Sequence, residues 1–312
     1  MVLDALGRQT ATPERFEVIV VCDGCGDGTE QMCRDLKVRF PLRVISQPQA
    51  GPASARNRAL AEAAGEVIIF LDDDVVPAPE LVDEHLSVHR DDHRVVLIGP
   101  LLAPPDFDLE PWTRWEASML VGQYRDIERG KWAPTPRQFY TGNASVRREH
   151  VLAAGGFDAT YHRAEDVELA YRLQRLNLVF KFSPAAKGWH YARRSLASWL
   201  SIARSYGVAD VKMYRDGRLM TLQAMAREFR WRRRRLQQLA RACVGRSVAL
   251  RPVIAGALFA ARVAGWLSLR RQAEGGYSVV FNLCYWNGVS DELGGRRAFW
   301  ELIRAEDPNY VP

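Results

Sequence analysis

Cysteine is scarce in this chain of 312 residues, which contains five cysteines. An odd number of thiols scattered between Cys22 and Cys284 argues against a disulfide framework and favours a reducing compartment. Cys22 and Cys25 form a CxxC pair, but the sequence offers neither a second cysteine pair nor a suitably spaced histidine pair to complete a zinc site. We therefore interpret the CxxC spacing as coincidence.

The start of the chain lacks the pattern of a secretory signal. Met1 leads directly into the mixed segment VLDALGRQTATPERFE, which has no basic stretch followed by an apolar run and a small-residue cleavage site. Internal repeats and low-complexity tracts are also absent from the sequence. With 47% hydrophobic residues, the chain is able to bury a full core. We expect a folded, cytoplasmic protein with one large domain and an extension.

Acidic residues are rare in one C-terminal segment, although the net charge of the whole chain is only +6. Between Arg227 and Arg246 there are eight arginines and one glutamate. Such a cluster favours an anionic membrane surface as a partner. We expect no nucleic-acid partner, because no base-reading motif accompanies the cluster.

The chain also lacks a long apolar run free of charge. Residues 252–269 read PVIAGALFAARVAGWLSL, where Arg262 interrupts the apolar residues. A central arginine makes a spanning helix costly, so the pattern favours a helix that lies in the membrane interface. We expect peripheral attachment to the cytoplasmic face of the cell membrane. The alternative is an ordinary helical subdomain with a solvated basic face.

Short β-branched runs alternate with helical patterns from Phe16 to about Ile98. This alternation predicts an α/β fold with a mainly parallel sheet flanked by helices. We place the domain boundary near Asp216 and Gly217, with a catalytic domain at residues 1–215 and a helical, basic extension at residues 216–312. Ligands of such sheets bind at the carboxyl ends of the strands.

Three consecutive carboxylates follow the apolar strand of GEVIIFLDDDVVP. Alternate residues of a strand point the same way, so Asp72 and Asp74 would face one side and Asp73 the other. Paired carboxylates are suitable ligands for magnesium or manganese. The alternative is an acidic turn that caps the next helix.

A second cluster, CDGCGDGT, follows the first strand. Gly24, Gly26 and Gly28 imitate a dinucleotide fingerprint, but the last glycine comes one residue too early for GxGxxG. What remains is Asp23 at a strand end, followed by a glycine-rich loop that allows a ligand to approach the backbone closely. This arrangement suits a carboxylate that accepts a hydrogen bond from a nucleotide base.

Two further positions have both a structural and a functional interpretation. Glu165 and Asp166 begin a helix in AEDVELAYRL, where carboxylates commonly cap the helix. His190 in AKGWHYARR is a lone histidine, and such residues are more often structural than metal-binding.

In this order, the clusters resemble the family 2 glycosyltransferases, which are inverting enzymes with the GT-A nucleotide-diphospho-sugar transferase fold. The resemblance covers roughly residues 1–215. It rests on FEVIVVCDGCGDGT, QAGPASARNRAL, GEVIIFLDDDVVP, YTGNASVRREHVLAAGGFD, AEDVELAYRL and the downstream His190.

The resemblance implies a role for each matching residue. Asp166 would be the catalytic base that deprotonates the acceptor. A divalent cation, Mg²⁺ or Mn²⁺, would be held by Asp74, with Asp72 and His190 as further ligands. The residues that would bind the donor are Asp23, Arg56, Asn57, Asp72, Asp73, Gly142, Asn143 and Glu165.

The implied activity is transfer of a sugar from a nucleotide-sugar donor to a hydroxyl of a glycan or lipid-linked acceptor. A UDP-sugar is favoured, with a GDP-sugar as the alternative, and the pathway would be cell-surface glycan or glycolipid biosynthesis. A non-catalytic nucleotide-sugar-binding or scaffold relic of the same fold is the second hypothesis. A nucleotidyltransferase would instead begin with a Gly-rich loop and a nearby Lys or Arg, which this sequence lacks.

The sequence departs from the family pattern in two places. Cys22 and Cys25 replace the usual acidic and small residues beside Asp23. The family's first strand also has no counterpart, because MVLDALGRQT resembles the helix that follows it. We expect two neighbouring strands to lose a ladder partner and the native product to begin upstream of Met1.

Overall fold

The computed structural model describes residues 1–218 and 222–305, and these residues divide into two compact units. The first unit comprises residues 1–109 and 116–193, and the second comprises residues 110–115 and the chain from Arg194 onward. The boundary that we expected near Asp216 therefore lies inside the second unit. The parts of the predicted extension at residues 219–221 and 306–312 lie outside the described residues.

The first unit alternates strands rich in β-branched residues with amphipathic helices, as the sequence predicts. Its strands are β1 (Val18–Asp23), β2 (Leu42–Gln47), β3 (Val67–Leu71), β4 (Val75–Pro77), β5 (Val95–Ile98), β6 (Leu101–Leu102), β7 (Asn143–Arg147), β8 (Val179–Phe182) and β9 (Gly188–His190). Its helices are α1 (Val2–Leu6), α2 (Thr29–Asp35), α3 (Pro52–Glu62), α4 (Leu81–Asp91), α5 (Pro111–Glu128, which begins in the second unit), α6 (Arg148–Ala153) and α7 (Glu165–Arg175).

These strands form three sheets. β1 pairs with β2 in parallel, the second sheet has the order β3-β7-β5-β8, and a small third sheet has the order β4-β9-β6. β7 runs antiparallel to both β3 and β5, whereas β8 is parallel to β5. The α/β fold is confirmed, but the pairing is mixed rather than mostly parallel, because β7 lies downstream of the alternating segment and enters between two of its strands.

Each terminal strand of the three sheets has one edge without a strand partner among the described residues. β1 pairs only with β2 and β3 only with β7, and β2, β4, β6 and β8 likewise have a single partner. Residues 18–21 of β1 are all apolar yet only partly buried, whereas residues 95–98 of β5 are fully buried. The expected loss of a ladder partner next to β1 and β3 stays a prediction.

The core of the first unit lies between the second sheet and its helices. Phe70 of β3 meets the rings of Phe139 and Phe157 edge to face, with centroids 6.3 and 5.3 Å apart. Helix α7 buries Leu169 and Leu173 in the same cluster. Edge-to-face aromatic pairs add stability beyond buried area, so this cluster fixes the start of α7 relative to the end of β3.

The second unit is helical. Its helices are α8 (Leu196–Arg215), α9 (Leu222–Trp231), α10 (Arg234–Cys243), α11 (Ser247–Trp266), α12 (Arg270–Glu292) and α13 (Arg296–Arg304). α8 joins this unit because it packs along α12 with its backbone very close. A Cβ added at Gly207 would overlap the carbonyl oxygen of Tyr285, and one added at Gly288 would overlap that of Arg204. Glycine on both helices therefore permits the contact.

We expect Gly207→Ala and Gly288→Ala each to lower the free energy of unfolding by about 1–3 kcal/mol, because a methyl group must push the two backbones apart. Chemical denaturation monitored by circular dichroism measures the change. Gly256→Ala on α11 is the matched control, since its Cβ meets no atom within 4 Å and a helical alanine should stabilise by about 0.5–1 kcal/mol. Equal behaviour of all three variants would contradict the close contact.

Candidate active site

Arg56 of α3 joins two carboxylates that are far apart in sequence. Its Nη1 lies 2.6 Å from Oε1 of Glu165, and its Nη2 lies 3.1 Å from Oδ1 of Asp72. The guanidinium also lies over the ring of Phe157, 5.6 Å from the centroid. Although burial lowers the pKa of Arg56, the charges of Asp72 and Glu165 raise it above its usual value. The side chain therefore stays cationic and ties α3, the end of β3 and the start of α7 together.

Asp74 and His190 come together through strand pairing. β4 and β9 are antiparallel, with Val75 opposite His190, and the amide of Tyr191 donates to the carbonyl oxygen of Asp74 at 2.8 Å. This register brings Oδ2 of Asp74 within 3.3 Å of Nε2 of His190. The structure thus brings together two of the three residues that we predicted to hold a metal.

The neighbouring carboxylates have other surroundings. Asp72 is directed to Arg56 rather than to His190. Asp73 is exposed, and partial desolvation together with the charges of Asp74 and Asp72 raises its pKa above the usual value.

Asp74 and His190 together fit two ligand positions of a divalent cation whose remaining positions are filled by other oxygens. Among the described residues no group of three or more His, Cys, Asp or Glu side chains is arranged around one point. Mg²⁺ and similar ions commonly use one or two protein ligands, with waters and substrate phosphates filling the remaining positions. One carboxylate and one imidazole could supply the protein ligands of such a site, with Mg²⁺ or Mn²⁺ as the ion.

Asp166 lies in the first turn of α7 but is not its N-cap residue. That position belongs to Ala164, whose backbone is left-handed with φ 60° and whose side chain caps nothing. The Asp166 carboxylate accepts a hydrogen bond from the Val167 amide at 2.8 Å and another from the Thr141 amide. Burial, followed by the charge of Glu165, raises the pKa of Asp166 to about 7. A carboxylate with that pKa is well matched to proton transfer near neutral pH.

Asp23 organises the loop that precedes α3. Its carboxylate accepts hydrogen bonds from Nε2 of Gln47 at 2.8 Å and from the amides of Ala50 and Gly51 at 2.8 and 2.7 Å. Although burial raises the pKa of Asp23, these three hydrogen bonds lower it below the usual value. A carboxylate has about four acceptor sites, so the arrangement leaves room for one further donor from a ligand.

Asn57 is bound to the backbone that leads to α7. Its Nδ2 donates to the carbonyl oxygen of Phe157, and its Oδ1 accepts from the Phe157 amide, both at 2.8 Å. A Cβ added at Gly156 would lie 2.7 Å from Oδ1 of Asn57. Both polar ends of the amide therefore position this loop, and the predicted place of Asn57 near the nucleotide stays a prediction.

The side chain of Asn143 is fully buried. Its Nδ2 donates to the carbonyl oxygens of Pro100 and Ala186, and its Oδ1 lies 3.0 Å from Nε2 of His85. Because every polar atom of the amide has a partner inside the protein, the side chain of Asn143 fixes β7 in the sheet. The predicted place of Asn143 in the segment that flanks the donor sugar stays a prediction.

Gly142, by contrast, lies beside a predicted site residue. A Cβ at this position would lie 3.0 Å from Oδ2 of Asp72. Glycine therefore lets the chain before β7 approach the carboxylate, and the place of Gly142 near the donor sugar stays a prediction.

Sequence reasoning missed two residues that shape the site. Thr141 donates its amide to Asp166, and the Phe157 backbone receives Asn57 while its ring lies under Arg56. Both residues belong to YTGNASVRREHVLAAGGFD, one of the segments on which the family resemblance rests. A backbone donor leaves no signal in its own side chain, so only the position of Thr141 next to Gly142 pointed to it.

Comparison with known proteins identifies the family. Residues 2–156 match the model of a family described as glycosyl transferase family 2, and the chain belongs to this family. An uncharacterized glycosyltransferase of Bacillus subtilis (strain 168), YfnE, is 29% identical over 222 residues, covering 56% of this chain and 56% of its own length. The chain spans about half the length of the curated relatives that it matches.

Solved structures show that the fold is the GT-A fold. S. aureus TarS 1–349 in complex with UDP-GlcNAc superimposes with a TM-score of 0.53 at 18% identity, covering 90% of this chain and 86% of that one. The mannosyltransferase PcManGT from Pyrobaculum calidifontis, in complex with GDP-Man and Mn²⁺, gives a TM-score of 0.53 at 22% identity, covering 67% and 59%.

We expect Arg56→Gln to lower the free energy of unfolding by about 1–3 kcal/mol, because it leaves the buried Glu165 carboxylate without its cation. The same change removes a positive charge that lowers the pKa of Asp166, so that pKa should rise. Arg58→Gln is the control, since Arg58 forms an exposed pair with Glu62 on the same helix and should cost at most about 0.5 kcal/mol. Urea titration compares the two, and equal losses would refute a central role for Arg56.

Proposed function

We propose that the chain is a metal-dependent, inverting glycosyltransferase that moves a sugar from a nucleotide-sugar donor to an acceptor hydroxyl. The observation that carries the proposal is Asp166, whose carboxylate has a pKa of about 7 and lies in one site with Arg56, Asp72 and Glu165. The family supports the reaction class, and the UDP-GlcNAc and GDP-Man complexes of the two similar structures support the donor class.

In the proposed reaction Asp166 accepts the proton of the acceptor hydroxyl. As that proton leaves, the acceptor oxygen forms a bond to the anomeric carbon, and the bond from this carbon to the diphosphate oxygen breaks. The electron pair of the broken bond stays on the nucleoside diphosphate. Because a single displacement attacks from the face opposite the leaving group, the anomeric configuration inverts.

Asp74 and His190 would hold the divalent cation. When bound, this cation supplies Lewis-acid neutralisation of the charge that develops on the diphosphate. The Mn²⁺ complex of the Pyrobaculum mannosyltransferase supports this part of the proposal by analogy of fold.

The other charged residues position these groups. Arg56 pairs with Glu165 beside Asp166, and the charge of Glu165 contributes to the raised pKa of the base. Asp23 would accept a hydrogen bond from the nucleotide base, while Asp72 and Asp73 would contact the donor at the end of β3. We favour a UDP-sugar over a GDP-sugar as donor, and a glycan or lipid-linked acceptor in cell-surface glycan or glycolipid biosynthesis.

A non-catalytic relic that only binds nucleotide sugar is the second candidate, and the unpaired edges of β1 and β3 favour it. A screen of UDP- and GDP-sugars separates the two hypotheses when donor binding is measured by calorimetry and nucleoside diphosphate release by a coupled assay. Acceptor-dependent release supports the enzyme, whereas donor binding without release in the presence of Mn²⁺ and acceptor supports the relic.

We expect Asp166→Asn to lower kcat by about 10²–10⁴-fold, because an amide cannot take the acceptor proton. In the unchanged protein kcat/KM should rise with pH up to about 7 and then level off, since the base is active only when deprotonated. The variant should lose this dependence while donor affinity and Tm stay the same. Glu149→Gln, at an exposed site on α6, is the control. A fall in Tm that parallels the loss of activity would favour a structural role instead.

We expect Asp74→Ala and His190→Ala to raise the Mn²⁺ concentration needed for half-maximal turnover, with the larger effect at the carboxylate, since each removes one protein ligand. A chelator should stop turnover, and added Mn²⁺ should restore it. Asp91→Ala, at the exposed end of α4, should leave the metal titration unchanged. Turnover that is insensitive to chelation would eliminate the metal from the proposal.

A further inference from the structure

Helix α11 of the second unit packs on one side only. Leu258, Ala261 and Ala264 are buried, and Cβ of Ala261 lies 2.7 Å from the position that a Cβ on Gly276 of α12 would take. By length and composition, α11 is the one helix of the described residues able to cross a membrane, yet only 17% of its apolar window is buried inside the protein. Most of the apolar surface of α11 is therefore not buried by packing within the protein.

The remaining apolar residues form a continuous line on the outer side of α11, which we call the outer stripe. Its members follow one another at intervals of three or four residues and are Val248, Pro252, Ala255, Phe259, Val263 and Trp266. All six are exposed, and the exposed fractions of Val248, Phe259 and Trp266 are 88%, 70% and 84%. At 1.5 Å per residue the stripe is about 27 Å long. A packed surface helix normally turns polar residues outward, so this face needs another partner.

Positive charge borders the stripe along one edge. Arg251 and Arg262 each follow a stripe residue by three positions, Val248 and Phe259 respectively, so both lie on the same flank and both are exposed. From Ser247 to Trp266 the helix contains no acidic residue. The same unit exposes Trp231, at 77%, together with Arg233, Arg234 and Arg235. An apolar, aromatic line beside arginines matches the boundary between acyl chains and anionic headgroups.

We propose that the outer stripe docks into the headgroup boundary of an anionic lipid bilayer, with α11 lying in the plane of the membrane. A spanning orientation is disfavoured, because the inner face of α11 packs on α12 and Arg262 would enter the acyl region. A second copy of the chain is also disfavoured, since an antiparallel two-fold contact centred on the stripe would bring the arginine-bearing flanks of both copies together, with Arg251 of one copy near Arg262 of the other. In the bilayer interface, the apolar stems of the arginines lie beside the stripe while their heads reach the phosphates.

Flotation of the full-length protein with vesicles tests the proposal without reference to transferase activity. We expect binding to vesicles that contain phosphatidylglycerol, weaker binding to phosphatidylcholine alone, and release at high salt. The double variant Phe259→Ser/Trp266→Ser should lower the partition coefficient by about tenfold or more, because burial of each aromatic side chain contributes strongly. The variant Arg251→Glu/Arg262→Glu should abolish the preference for anionic lipid.

The control is Met32→Ser/Leu152→Ser, which removes two exposed apolar side chains from α2 and α6 of the first unit and should leave partition unchanged. Circular dichroism and donor binding establish that each variant is folded. No flotation of the unchanged protein at low salt would overturn the proposal, as would equal partition of the stripe and control variants. Binding that ignores headgroup charge and resists alkaline extraction would indicate a spanning helix. Loss of a dimer in lipid-free solution when the stripe is mutated would indicate that a second copy covers the stripe. A spanning helix or a second copy would each overturn the proposal.

Discussion

The arrangement of the candidate site depends on one guanidinium. Arg56 connects three segments that are distant in sequence. Its two terminal nitrogens contact Asp72 and Glu165, and its guanidinium lies over the ring of Phe157. Two carboxylates at this spacing would repel each other without an intervening cation. Arginine suits the position better than lysine, since a planar fork satisfies two acceptors at once and stacks on an aromatic ring. The place of Asp166 follows from this arrangement, because it adjoins Glu165 at the first turn of α7.

A group of buried polar side chains in the first unit hydrogen-bonds within the protein and holds the strands and helices in place. Asn143, His85, Ser145 and His89 form a buried network in which Oγ of Ser145 lies 2.7 Å from Nδ1 of His85 and 2.8 Å from Nε2 of His89. Burial lowers the pKa of both histidines to about 4, so both are neutral at physiological pH. Buried polar groups need such partners to avoid a desolvation cost, and residues that form them are unavailable to ligands. The groups proposed for chemistry are instead the carboxylates of Asp72 and Asp74 after β3, His190 and the Asp166 carboxylate in the first turn of α7.

The sequence predicted those elements whose signal is local. The β-branched runs located β1 and β3, and the DDD cluster located the acidic end of β3. The structure then shows that the pairing of β4 with β9 brings Asp74 to His190. The hydrogen bonds of Asn57 and Asn143 could not be predicted, because their partners, Phe157 and His85, are distant in sequence and the asparagines themselves carry no sign of how their amides are used. The domain boundary was misplaced for a similar reason. The assignment of α8 depends on a glycine contact with α12, and no composition change along the chain marks it.

The half-exposed strand β1 has a consequence for the dynamics of the fold. In a strand that pairs on one side only, successive amide groups point alternately toward the partner and away from it. The amides that point to β2 are held in the ladder, whereas the others have no strand partner among the described residues. Solvent exchange of amide hydrogens along residues 18–23 should therefore alternate between slower and faster with a period of two, unlike β5, which has a ladder partner on each side. An edge of this kind also offers open donors and acceptors to any extended peptide, which makes β1 a natural place for association between chains at high concentration.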